Sequence, residues 1–202
     1  MTPSSPRQSK NWSRYVSEML ELDKFVNDDL AEAAELFRFT TQDFAVRTFV
    51  RTMAAEFETR LFLLQDFILK LHEETSNIKF SPEELAILRS KTYTLRSNGE
   101  VQSSIKFYPF KEHLLFILRL FARRFNPKAM PDTSGKGWAA VHSFIKVRNR
   151  LMHPKSMDDL RISELEIKAI NLAQDWLRDS FKSLFASQLS RDTKSPKLRK
   201  GR

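Results

Sequence analysis

The sequence predicts an all-α fold, an antiparallel helical bundle of four main helices with a small β-hairpin-bearing insertion at about 76–109. Three observations lead there. Apolar residues recur at three- and four-residue steps over most of the chain, which places them on one helical stripe. A serine followed three residues later by glutamate, the capping-box pattern that starts helices, stands at Ser81 and again at Ser163. Strand-prone runs flanking an Asn-Gly pair occur in one region only. With 202 residues, 41% apolar and 29% charged, the chain can bury one sizeable core beneath a well-solvated surface.

The first helix is expected over Trp12 to Phe37, with Tyr15, Met19, Leu22, Phe25 and Val26 as its apolar marks. Asn27-Asp28-Asp29 is the place where it could break, because short polar side chains compete for backbone groups. From Thr41 to about His72, Val46, Val50, Met53, Phe57, Leu61, Leu64, Ile68 and Leu71 form a continuous stripe. Arg47, Arg51, Glu58, Gln65 and Glu73 fall mainly on other faces of that helix. Ser81-Pro82-Glu83-Glu84 opens a short helix, with proline in its first turn. Thr92–Leu95 and Ile105–Tyr108 favour strands on either side of Ser97-Asn98-Gly99-Glu100. A lone hairpin is marginal in water, so it is expected to decorate a helical body. Phe110 to Phe125 returns to helical spacing, and Asn126-Pro127 stops it. Gly137-Trp138 opens another helix, burying Trp138, Val141, Phe144 and Ile145 and running toward Arg148. Pro154 limits it, since the residue before proline is pushed out of the α region. The last long helix begins near Ser163 and continues through Ile170, Trp176, Leu177 and Phe185. The expected organisation is a disordered end at 1–10, a helical domain at 11–190 and a basic disordered tail at 191–202.

Composition excludes several chemistries. Without cysteine there is no disulfide framework, thiolate metal site or cysteine nucleophile. The four glycines form no phosphate-cradling loop, which removes P-loop and Rossmann readings. His72, His113 and His142 share no ligand spacing, so neither a metal nor a cofactor is expected. The net charge of +9 is unevenly placed: residues 1–10 carry +2 and residues 194–202 carry +5, leaving +2 for the body. The basic tail raises affinity for any polyanion by counterion release, RNA included, although such tails also serve simply as solubilising ends. No apolar stretch is suited to export or to membrane spanning, so a cytoplasmic protein is the default expectation.

Chemistry concentrates in Val147-Arg148-Asn149-Arg150-Leu151-Met152-His153-Pro154. Arg148 offers a permanent forked charge that matches phosphate oxygens. His153 titrates near neutrality and can move a proton without metal. Asn149 could bind substrate or orient the histidine. In a regular helix Arg148 and His153 diverge by about 140° around the axis. If the helix unwinds before Pro154, both could face one phosphate. A purely structural explanation stands beside this one: cations at a helix C-terminus are favourable by about 0.3–1 kcal/mol, and His-Pro is an ordinary helix stop.

Arg148-Asn149, three residues and then His153, after an apolar helix and before proline, resembles the motif of the HEPN superfamily. Trp138 to Ile145 is similar to the helix that leads into that motif. The resemblance implies an all-α, metal-independent endoribonuclease that works as a homodimer with a composite active site. In that scheme His153 moves the proton of the ribose 2′-hydroxyl or of the leaving 5′-oxygen. Arg148 stabilises charge on the phosphorane-like transition state, Asn149 assists, and a 2′,3′-cyclic phosphate is left. Many such proteins are toxins or phage-defence effectors acting on tRNA or mRNA, which implies an antitoxin partner. Members neutralised by nucleotidyltransferase antitoxins carry a tyrosine two residues after the histidine; Lys155 stands there in this chain. Arg150 and Lys155 are the expected RNA contacts. The alternatives are a non-catalytic HEPN-like module that binds RNA or a nucleotide, and a helical interaction module in which the motif only ends a helix.

Two further groups have bland readings. Glu56 and Arg60 could line a site but are expected to form an exposed ion pair one turn apart. Lys111, Arg119, Arg123 and Arg124 are expected to lie on a solvated face.

Overall fold

A computed structural model describes residues 6–39, 43–74 and 78–192. Its six helices and one two-stranded sheet make the protein mostly helical, as the apolar spacing predicts. They are α1 (Pro6–Phe39), α2 (Asp43–Glu74), α3 (Pro82–Leu88), β1 (Lys91–Leu95), β2 (Val101–Ile105), α4 (Phe110–Phe125), α5 (Lys136–Met152) and α6 (Glu164–Asp192). Helices α2, α4, α5 and α6 all pack on one another, while α1 lies along α2. Five helices are therefore long, against an expectation of four. Residues 6–10, expected to be disordered, begin α1, and α6 runs past the expected boundary to Asp192. The remainder of the two expected disordered ends, 1–5 and 193–202, lies outside the described residues.

The core follows from the α2 stripe. Val50, Met53, Phe57, Leu64 and Ile68 meet Leu114, Ile117, Leu118 and Phe121 of α4, Val141, Phe144 and Leu151 of α5, and Ile170, Ala173, Leu177 and Leu184 of α6 in one buried cluster. Helix α1 contributes less than its apolar marks suggest. Tyr15, Leu30 and Ala33 are buried, but Leu22 and Phe25 are exposed. Nor does α1 break at Asn27. The Asn27 amide donates to the Asp23 carbonyl at 2.8 Å and its oxygen accepts from Arg60 of α2 at 2.7 Å, so the polar run is tied into the helix.

Glu56 differs from expectation. It pairs with Arg60 at 2.8 Å, yet it is 3% exposed, and its Oε2 is buried without a hydrogen-bond partner. Burial, outweighing the pull of Arg60 and aided by repulsion from Asp23, raises its pKa from 4.5 to about 7. The unfolded chain ionises this carboxyl first, so it binds fewer protons between those values, and stability falls as pH rises through the folded pKa. The ceiling on this loss is about 3 kcal/mol. Urea midpoints of the wild type should therefore drop between about pH 5 and pH 8. In Glu56→Gln that part of the slope should vanish, and an identical slope in both chains would refute the assignment.

Local signals are realised closely. Ser81 accepts from the Glu84 N–H at 3.2 Å while Glu84 accepts from the Ser81 N–H at 3.0 Å, the reciprocal pair of a capping box. Ser163 and Glu166 repeat it at 3.3 Å and 2.9 Å. The hairpin forms, but its second strand precedes the expected Ile105–Tyr108. Leu95 pairs with Val101 and Lys91 with Ile105. The Gly99 N–H bonds the Arg96 carbonyl at 2.9 Å, and Gly99 has φ +84, so a three-residue turn sets the register.

Helix α5 begins where it packs on α6. A Cβ on Gly137 would lie 2.4 Å from Trp176 Cδ1 and 2.9 Å from its Cβ and Cγ. Trp176 is itself held by a hydrogen bond from its indole to the Asp132 carbonyl at 2.9 Å. Gly137→Ala is expected to cost about 1–3 kcal/mol through overpacking, despite alanine's better helix propensity. A thermal midpoint at or above the wild type's would contradict this packing.

A candidate phosphate-binding site at the end of α5

Helix α5 keeps α geometry to Met152 and stops at His153, which has φ −134 and ψ 60. It does not unwind early. The His153 N–H bonds the Asn149 carbonyl at 3.1 Å, closing the last turn. Arg148 and His153 consequently diverge. Arg148 turns toward α2, where it pairs with Glu58, and its second amino group donates to Asn149 Oδ1 at 3.0 Å. Asn149 thus steadies the arginine rather than the histidine. His153 is exposed, and among the described residues no hydrogen bond or ion pair joins it to Arg148.

The end of the helix is held firmly. Arg51 of α2 donates to the Leu151 carbonyl at 3.0 Å, and Arg47 to the Leu160 carbonyl at 3.3 Å. Arg150, expected to touch RNA, is engaged within the chain. It makes a forked pair with Glu166 at 2.9 and 3.2 Å and donates to the carbonyls of Asp159 at 3.0 Å and Arg161 at 2.6 Å. Burial works against ionisation of Glu166, but Arg150 and the Ser163 bonds prevail and hold its pKa below the ordinary value. Asp159 accepts from the N–H groups of Lys155 at 2.7 Å and Ser156 at 3.0 Å. Those bonds hold its pKa down and fix the turn carrying Lys155, whose side chain is exposed.

Arg148 and Asn149 open onto a cavity of about 730 Å³ between α2, α4, α5 and the segment entering α4. Glu58, Tyr108, His113, His142 and Lys146 also line it; His153 does not. Spacing along the chain carries no sign of this convergence. Glu58 lies 90 residues from Arg148, and His113 and His142 were considered only as metal ligands. Among the described residues no group of three or more His, Cys, Asp or Glu is placed to hold a metal ion.

The basic residues of α4 serve the fold. Arg123 and Arg124 both reach Glu84, at 3.1 and 3.4 Å, while Lys111 pairs with its neighbour Glu112 at 3.0 Å. Among the described residues no helix is long and apolar enough to cross a membrane. Comparison with protein-family models, with curated proteins and with solved structures finds no match to this chain.

Proposed function

We propose that the protein is a metal-independent endoribonuclease of HEPN type, with Arg148 and His153 as the reacting pair and Asn149 as support. One observation carries this reading: the helix bearing the motif ends at His153 in a rigid polar frame, leaving the imidazole exposed and unbonded beside a cavity lined by Arg148. His153 takes the proton of the 2′-hydroxyl or returns one to the leaving 5′-oxygen. The 2′-oxygen bonds to phosphorus, the phosphorus–O5′ bond breaks, and Arg148 neutralises the intervening charge. The products are a 2′,3′-cyclic phosphate and a 5′-hydroxyl.

Because one chain does not bring Arg148 and His153 together, the reading requires a homodimer in which two motifs share a cleft. Arg150, Arg47 and Arg51 then position the motif, and Lys155 is the free cation for the RNA backbone. A toxin or defence role against tRNA or mRNA, with an antitoxin partner, extends the same proposal. The Arg148–Glu58 pair favours the second reading, a non-catalytic helical or RNA-binding module whose motif only ends a helix.

The test is cleavage of total RNA in EDTA by the wild type, Arg148→Ala and His153→Ala, with light scattering to establish the dimer. Cleavage by the wild type alone, leaving cyclic phosphate ends, supports the proposal. Inactivity of a folded, dimeric wild type overturns it.

A further inference from the structure

The cavity beside Arg148 has a composition that the motif alone does not require. Tyr108, on the segment leading into α4, and Phe62 of α2 supply aromatic surface. Lys146 and Arg148 supply positive charge on the α5 side. Two histidines from different helices complete the wall. His113 is tilted against Tyr108, with ring centroids 5.8 Å apart, and His142 stands edge-on to Trp138 at 5.1 Å. In both imidazoles Nε2 is buried and has no hydrogen-bond partner. An unpaired buried polar atom is costly, and it is rare unless a ligand or water completes it. Burial also lowers the pKa of His113, so its ring is neutral at pH 7 and carries one donor and one acceptor.

A volume of about 730 Å³ suits a small organic ligand. Aromatic surface, imidazole nitrogens and cations on one wall match a planar heterocycle joined to a phosphate. RNA bases taken out of a stack are held in this way, by stacking on aromatic rings and hydrogen bonds to their edges. We infer that the cavity receives the nucleoside adjoining the phosphate held by Arg148, with its base against Tyr108 and its edge read by His113 and His142. The inference rests on the ribonuclease reading for its choice of RNA, and it adds the substrate form: a single-stranded segment with one base turned out. Glu58 must release Arg148 as the phosphate arrives, exchanging one anionic partner for another.

The probes are the four nucleoside 3′-monophosphates, with ribose 5-phosphate as the control, titrated into the full chain. Binding is read from Trp138 fluorescence and from the side-chain ¹⁵N shifts of His113 and His142. At least one nucleotide is expected to bind saturably, shift both histidines and outbind ribose 5-phosphate by roughly tenfold or more. His142→Gln and Tyr108→Ala, checked for an unchanged circular dichroism spectrum, should each weaken binding several-fold. His153→Ala should bind like the wild type, since His153 is not on this wall. Equal binding of ribose 5-phosphate, no saturation at several millimolar, or unmoved histidine signals would overturn the inference. The two readings fail separately. Nucleotide binding without RNA cleavage sinks the ribonuclease, whereas metal-free cleavage without nucleotide binding sinks the base pocket.

Discussion

Cleavage of RNA by His153→Ala is expected to fall by about 10²–10⁴-fold, the range a positioned general acid or base contributes. Arg148→Ala should lose about 10²–10³-fold, the effect of removing one group that meets developing charge. What makes these losses informative is the difference in local structure. His153 is exposed and its side chain bonds nothing, so its removal should leave the thermal midpoint within about 1 °C of the wild type. Arg148 holds Glu58 and Asn149, so its removal should cost a fraction of a kcal/mol at this partly exposed pair. Single-turnover rates and melting curves on the same preparations separate the two. A fall in activity that merely tracks a fall in midpoint would point to a structural motif.

Phe121→Ala should produce the largest loss of stability, about 3–5 kcal/mol. Phe121 is fully buried where three helices meet, with Phe67 of α2 at 6.1 Å, Phe125 of its own helix at 4.7 Å and Phe185 of α6 at 5.1 Å between ring centroids. Truncation removes the ring and leaves a void that rigid neighbours on three helices cannot close. For a chain of this size the midpoint should fall by about 10 °C. Phe25→Ala, 65% exposed on α1, should change stability by less than about 0.5 kcal/mol. Similar losses in both variants would refute the division between core and surface.

That pair of phenylalanines also marks what periodicity can convey. Spacing shows that a helix has an apolar side, but not whether another element covers it. Helix α2 is surrounded, so its whole stripe from Val50 to Leu71 is buried. Helix α1 has α2 as its main partner, and Leu22 and Phe25 remain in solvent. The hairpin was visible from Asn98-Gly99, yet its register depended on Gly99 taking the left-handed position of a three-residue turn. The Glu56–Arg60 pair was visible as a spacing, while its burial came from α1 closing over it.

The candidate site divides the same way. The motif was legible because its six residues are consecutive and proline ends their helix. Its partners were not: Glu58, Arg51, Glu166, His113 and His142 reach the end of α5 or its cavity from other parts of the chain. By itself the sequence determined the helices, both capping boxes, the hairpin's existence and the Arg-Asn-x-x-x-His run, because each depends on residues within a few positions of one another. The tertiary structure decided which charges are spent within the fold and which groups face open space. Those outcomes depend on distances between residues tens of positions apart, which only the packing of α1, α2, α4, α5 and α6 sets.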